Sequence, residues 1–258
     1  MSTTDTVQTR QEADLLIITI NRPARRNAVD RDTAVALYEA FKAFDADDSL
    51  SVAILTGTEG NFCAGADLQA VAAGKGNPVR PDGDMGPMGP TRLELSKPVI
   101  AAVEGYAVAG GLELALWCDL RVASDSARFG VFCRRFGVPL IDGGTIRLPR
   151  LIGASRAMDL VLTGREVGPD EALAIGLANY AAPAGKALDR AMQLANDIAA
   201  FPQTCLRADR LSAMRQWSLD MDSALKAEVE GGLDVLKSGE TLKGATAFTK
   251  GKGRHGSF

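Results

Sequence analysis

From Lys97 to Leu120 the chain reads KPVIAAVEGYAVAGGLELALWCDL, its longest weakly charged stretch. The apolar content would suit a membrane span, but Glu104, Glu113 and repeated glycines interrupt it, and carboxylates are costly in hydrocarbon. The pattern predicts instead a buried strand over 98–103, a turn at Glu104-Gly105, and a helix that opens at Gly110-Gly111 and runs through Cys118. Similar units flank it. Leu15 to Ile20 reads as a strand, Val35, Tyr38, Phe41 and Phe44 recur at helical spacing, and Val52 to Thr56 reads as a second strand. The loop GTEGNFCAGADL and a brief helix over 68–73 follow, and a further strand is expected over 120–123. Between Gly74 and Pro90, glycine and proline exclude regular structure and predict a mobile loop or lid. Beyond Ala184 only amphipathic helices are expected: one with Leu188, Met192 and Ala195 on a stripe, then helices over 206–214 and 224–236. This is an α/β chain with a C-terminal helical extension.

Composition narrows the chemistry. The 258 residues suit one or two domains, and 29 Lys and Arg against 32 Asp and Glu give no electrostatic case for nucleic acid or an anionic membrane. The single histidine, His255, lies in the Gly-rich tail KGKGRHGSF, which argues against a Ser-His-Asp triad and a multi-histidine metal site. Cys63, Cys118, Cys133 and Cys205 form no CxxC pair and suggest reduced thiols rather than zinc ligands or disulfides. Residues 1–13 are polar, lack the basic start and apolar run of a secretory signal, and are expected to be a disordered leader on a cytoplasmic protein.

The glycines at 251, 253 and 256 match G-x-G-x-x-G literally, but no strand precedes them and the given sequence leaves no room for a following helix. Two other glycine-bearing turns fit their context better, because each follows an apolar strand and leads into a helix: Asn61 to Asp67 (NFCAGAD) and Gly105 to Glu113 (GYAVAGGLE). Such turns expose backbone N–H groups that can stabilise an oxyanion, although glycine placed for tight packing explains either turn alone. Glu113 stands among Leu112, Leu114, Ala115 and Leu116. Three roles are open to it: a carboxylate satisfied by backbone donors, a buried structural pair, or a general base with an altered pKa.

Taken together, the stretch from Ser96 to Ala123, the NFCAGADL segment upstream, GTIRLPRLIG at Gly144 to Gly153, and the NRPARRNA segment at Asn21 to Ala28 resemble the crotonase superfamily, the enoyl-CoA hydratases and isomerases. The resemblance covers nearly the whole chain. It implies an α/β spiral of ββα units over 14–195, a C-terminal helical oligomerisation region over 196–258, a homotrimer or a dimer of trimers, and an acyl-CoA thioester as substrate with no separate cofactor or metal. Residue by residue, it places the two oxyanion donors at the backbone N–H groups of Ala66 and Gly110 and matches Glu113 to the first catalytic glutamate. Contacts for the CoA moiety and substrate would come from Arg25, Arg26, Ala64, Gly65, Ala66, Asp67, Leu68, Gly110, Gly111 and Cys133. A neighbouring subunit's tail, including Phe248 and Lys250, would contribute to the same pocket.

One position departs from the hydratase pattern. Cys133 stands where the second glutamate is expected, and an unactivated thiol does not accept and donate protons as a carboxylate does. Asp142, in GVPLIDGG, is a candidate replacement for that function, or else an N-cap before Gly143-Gly144. Arg134 and Arg135 could pair with Asp142, line the pocket, or remain solvated. The expected activity is water addition to a 2-enoyl-CoA. One-base 3-to-2 isomerisation and non-catalytic acyl-CoA binding are the alternatives.

Overall fold

The computed structural model describes residues 6–253 and the backbone of Thr3–Thr4. His255 and Gly256 lie outside the described residues. Along the chain run strands β1 (Thr3–Thr4), β2 (Val7–Glu12), β3 (Leu15–Ile20), helix α1 (Arg31–Ala46), β4 (Val52–Gly57), α2 (Leu68–Ala72), β5 (Val99–Val103), β6 (Tyr106–Val108) and α3 (Gly110–Trp117). There follow β7 (Leu120–Ser124), β8 (Arg128–Gly130), α4 (Gly144–Ile152), α5 (Ala154–Thr163), β9 (Glu166–Val167), α6 (Pro169–Ala174), β10 (Tyr180–Ala182) and α7 (Ala187–Ala199). Helices α8 (Gln203–Arg215), α9 (Met221–Ser238) and α10 (Glu240–Thr249) complete the described chain.

The strands form one sheet in the order β1-β2-β3-β4-β5-β7-β10 and a smaller one in the order β6-β8-β9. From β3 to β10 the large sheet is parallel. Its central members β4 and β5 are buried almost throughout, which is why they read as continuous apolar runs rather than alternating ones.

Local chemistry sets the ends of α1. Asp30 caps its start by accepting from the Thr33 N–H at 3.0 Å. At its end the buried Lys97 ammonium donates to the carbonyls of Phe44 (3.0 Å) and Asp47 (2.6 Å), placing a cation at the negative end of the helix dipole. The buried face is Ala34, Leu37, Phe41 and Phe44, whereas Val35, expected on the apolar stripe, is 43% exposed.

Residues 7–12 are not a disordered leader. They form β2, paired antiparallel with β3 from Val7↔Ile20 to Glu12↔Leu15. Backbone hydrogen bonds hold this strand, and only Val7 is fully buried, so its polar composition conceals it. Residues 1, 2 and 5 of the expected leader lie outside the described residues.

The Gly74–Pro90 segment has no helix or strand, as its composition requires, but it divides into two parts. Residues 78–84 are exposed, while Gly86 to Thr91 is buried. The chain separates into compact units at Ile198/Ala199, three residues beyond the expected boundary. In the second unit α8 packs on α9, and the Glu240 carboxylate accepts from the N–H groups of Thr204 and Cys205 at the start of α8.

Candidate active site

Two chain segments are pinned side by side at the N-terminus of α3. The Cys63 N–H donates to the Tyr106 carbonyl at 2.8 Å and the Val108 N–H to the Cys63 carbonyl at 3.1 Å, so residues 62–64 run along β6 as an extra partner. Gly65 then turns at φ +97°, with so little space that a Cβ would lie 2.9 Å from Ala109 Cβ and 3.0 Å from Gly110 N. Ala109 itself holds φ 54°, ψ −125°, a region that L-residues rarely adopt, and its N–H is fixed on the Gly130 carbonyl at 2.9 Å. A Cβ on Gly111 would run into the Cys63 carbonyl, so only glycine permits this approach.

These constraints leave the Ala66 and Gly110 N–H groups without an acceptor among the described residues, and both residues line one cavity of about 750 Å³. Gly110 is the first residue of α3, where the helix dipole adds positive potential. Two free donors in an apolar concavity can hold an oxygen on which negative charge develops.

Glu113, one turn into α3, reaches the same cavity and is 2% exposed. Its Oε1 accepts from the N–H groups of Asp142 (2.9 Å) and Gly144 (2.8 Å). Oε2 accepts no hydrogen bond from any described residue. Burial pushes the pKa from its ordinary 4.5 up to about 7; the nearby Asp142 adds to this rise, while the two N–H donors and Arg147 oppose it. Of the three roles open to Glu113, the contacts at Oε1 match a carboxylate satisfied by backbone donors, while Oε2 faces no described donor.

The other expected residues divide between the cavity and its supports. Arg26, Ala64, Leu68 and Cys133 line the cavity, and the Arg26 guanidinium lies 5.1 Å from the Tyr106 ring centroid. Arg25, in the preceding 3-10 turn, is exposed and does not line it. Gly65 and Gly111 shape the backbone from behind. Asp67 faces away: its carboxylate accepts from the N–H groups of Gln69 (3.0 Å) and Ala70 (3.2 Å) at the start of α2 and from Arg22 Nη2 (2.9 Å), which makes it a helix cap and ion-pair partner. Cys133 is 6% exposed, and burial together with the Glu113 charge raises its thiol pKa, the opposite of an activated thiolate.

Asp142 also lines the cavity but is no N-cap, since α4 starts after Gly143 with no side-chain cap. Its Oδ1 accepts instead from the Met88 N–H (2.9 Å) and the Thr91 hydroxyl. Neither Arg134 nor Arg135 pairs with it; they donate to the Val161 and Gly164 carbonyls, and Arg135 stacks over Phe132. Sequence reasoning missed Met88, Thr91 and Arg147. Arg147 had a signal, a cation on the first turn of a helix opened by a glycine pair, but the Gly- and Pro-rich loop offered none for Met88 or Thr91.

Among the described residues no three His, Cys, Asp or Glu side chains converge to hold a metal ion, and no helix is long and apolar enough to cross a membrane.

Residues 10–255 match the family described as Enoyl-CoA hydratase/isomerase. Enoyl-CoA hydratase EchA19 of Mycobacterium tuberculosis is 36% identical over 245 residues, covering 91% of this chain and 90% of that one. The short-chain-enoyl-CoA hydratase of Clostridium acetobutylicum is 35% identical over 240 residues, covering 92% of each. The crystal structure of enoyl-CoA hydratase EchA1 from Mycobacterium marinum superimposes with a TM-score of 0.90 at 39% identity, covering 96% of both chains.

Proposed function

The chain belongs to the enoyl-CoA hydratase/isomerase family of the crotonase superfamily and is a hydratase-like acyl-CoA enzyme, and from that premise we propose that it adds water to a 2-enoyl-CoA using one carboxylate. The carrying observation is the convergence on one cavity of two acceptor-free N–H groups, Ala66 and Gly110, and the unpartnered Oε2 of Glu113.

Glu113 accepts a proton from water as the water oxygen bonds to C3 of the enoyl group. The C2–C3 π electrons move toward the thioester oxygen, where the Ala66 and Gly110 N–H groups stabilise the enolate more strongly than the neutral carbonyl. Protonated Glu113 then returns the proton to C2. A pKa of about 7 suits a group that must first accept and then donate. The addition is redox-neutral, with water and the enoyl thioester as its two reactants, and the proposed route uses no separate cofactor. Arg26 and the backbone of Ala64 to Leu68 are proposed to contact the CoA portion; of these residues, Arg26, Ala64, Ala66 and Leu68 border the cavity.

Cys133 favours a second reading. With a buried thiol of raised pKa where the resemblance expects the second glutamate, a one-base route is the simplest, and that same route suffices to shift a 3-enoyl double bond to position 2. Incubating the protein with 2-enoyl-CoA and 3-enoyl-CoA in deuterated water, beside Glu113→Gln, separates the two. Deuterium at C2 of a 3-hydroxyacyl-CoA supports hydration, a double-bond shift without hydration supports isomerisation, and binding without either product defeats both.

The proposed assembly is a homotrimer or a dimer of trimers in the cytoplasm. Leu225, Val229, Leu233 and Leu236 on α9 are 52%, 62%, 46% and 58% exposed, an apolar stripe that favours burial against further copies. Light scattering on the purified chain tests this.

A further inference from the structure

Asp142 carries three separate links, and each goes to a different part of the site. Its N–H donates to Glu113 Oε1 (2.9 Å), its carbonyl accepts from Arg147 Nη1 (2.9 Å), and its Oδ1 accepts from the Met88 N–H (2.9 Å) and the Thr91 hydroxyl. Arg147 Nη2 closes a ring by donating to the Thr91 carbonyl at 2.8 Å. The strap gripped in this way is tight. Gly86 and Gly89 exchange hydrogen bonds of 2.9 Å each, and a Cβ on Gly86 would lie 2.7 Å from Asp142 Oδ1. Met88, 1% exposed, covers Gly110 so closely that a Cβ there would come within 2.6 Å of its Sδ.

Resting on the hydratase reading above, we propose that Asp142 is a positioning residue: it sets the Glu113 carboxylate with its backbone and latches the Met88–Thr91 strap over Gly110 with its side chain, and it transfers no proton. The strap donors converge on Oδ1, and the side chain is buried at 4% exposure. The neutral isostere should therefore serve, because an amide oxygen accepts from the same N–H and hydroxyl. Charge matters in a second way. The groups facing Glu113 are Asp142, Arg147 and Cys133, those facing Asp142 include Arg92 and Arg147, and of these the Asp142 charge helps to raise Glu113.

The test compares Asp142→Asn, Asp142→Ala and Thr91→Val in the full chain, reading kcat, KM and the pH profile with crotonyl-CoA, and tryptic cleavage after Arg92, the residue that directly follows the strap. Asp142→Asn is expected to keep kcat within about threefold, to stay protected at Arg92, and to move the acid limb of the profile to lower pH. Asp142→Ala leaves the Met88 N–H and the Thr91 hydroxyl without their acceptor, and Thr91→Val removes one of the two donors to Oδ1; each should lose about tenfold or more in kcat and be cut faster. An Asp142→Asn protein that is folded and protected yet as inactive as Glu113→Gln would overturn the proposal, as would an Asp142→Ala protein unchanged in both turnover and cleavage. If the parent protein turns over no enoyl thioester, the hydratase reading fails, and the cleavage comparison still decides whether Asp142 latches the strap.

Discussion

Gly144 donates its backbone N–H to Glu113 Oε1 at 2.8 Å, and its Cα sits so near that any Cβ would come within 2.9 Å of Glu113 Cγ and Oε1. The loop before α4 therefore both holds the carboxylate by hydrogen bonds and confines it by contact. A side chain at position 144 would displace the Glu113 carboxylate. Gly144→Ala is expected to lower kcat about tenfold or more, since small displacements of a positioned group are costly to catalysis; steady-state kinetics with crotonyl-CoA measures it.

Replacing Glu113 by Gln retains an oxygen that can accept from Asp142 and Gly144 but removes the group that moves the proton. Turnover should fall by at least about 100-fold. The dissociation constant for a saturated acyl-CoA, measured by calorimetry, should change little.

Turnover and stability should respond to pH in opposite senses. Hydration begins with ionised Glu113, so kcat/KM should rise with pH through an acid limb centred near 7. Because the folded pKa stands above the unfolded one, protonated Glu113 contributes stability that is complete below about 4.5 and lost as pH rises through 7. Urea unfolding of the wild type should show this loss, at most about 3 kcal/mol, and Glu113→Gln should reduce it.

Ala109 holds positive φ at the start of α3, a strain of roughly 1–3 kcal/mol against a glycine entropy penalty of about 0.5–1 kcal/mol. Ala109→Gly is expected to raise stability by about 1 kcal/mol on balance. Gly111→Ala drives a methyl into the Cys63 carbonyl and should cost about 1–3 kcal/mol. Thermal denaturation of the two variants, with opposite signs, checks the geometry that presents the Gly110 N–H.

Lys97 lies far from this chemistry, at the end of α1. Lys97→Ala removes its hydrogen bonds to the Phe44 and Asp47 carbonyls and should cost about 2 kcal/mol or more. The kcat of the folded fraction should be unaltered, so denaturant curves and kinetics together separate structural from catalytic burial.

Much of this architecture was legible in the chain alone. The apolar runs at 15–20, 52–56 and 98–103 are strands within a residue of their expected bounds, because parallel strands buried on both faces need continuous apolar sequence. The Ala66 and Gly110 turns and Glu113 were legible because tight strand-to-helix turns demand glycine and an acid inside an apolar helix is rare. Strand β2 was not, since its pairing with β3 rests on backbone groups that every residue carries. Nor was the pairing of Asp67 with Arg22, nor the grip of Asp142 on Met88 and Thr91, which lie 54 and 51 positions away in sequence. Composition and periodicity record what a residue buries, and they determined the layers and the glycine-bearing turns here. The partners of polar groups that pair across the chain, such as Glu113 with Gly144 and Asp142 with Met88, were decided only by tertiary structure, because such hydrogen bonds form between atoms that packing brings together, and no local pattern encodes which distant segment arrives.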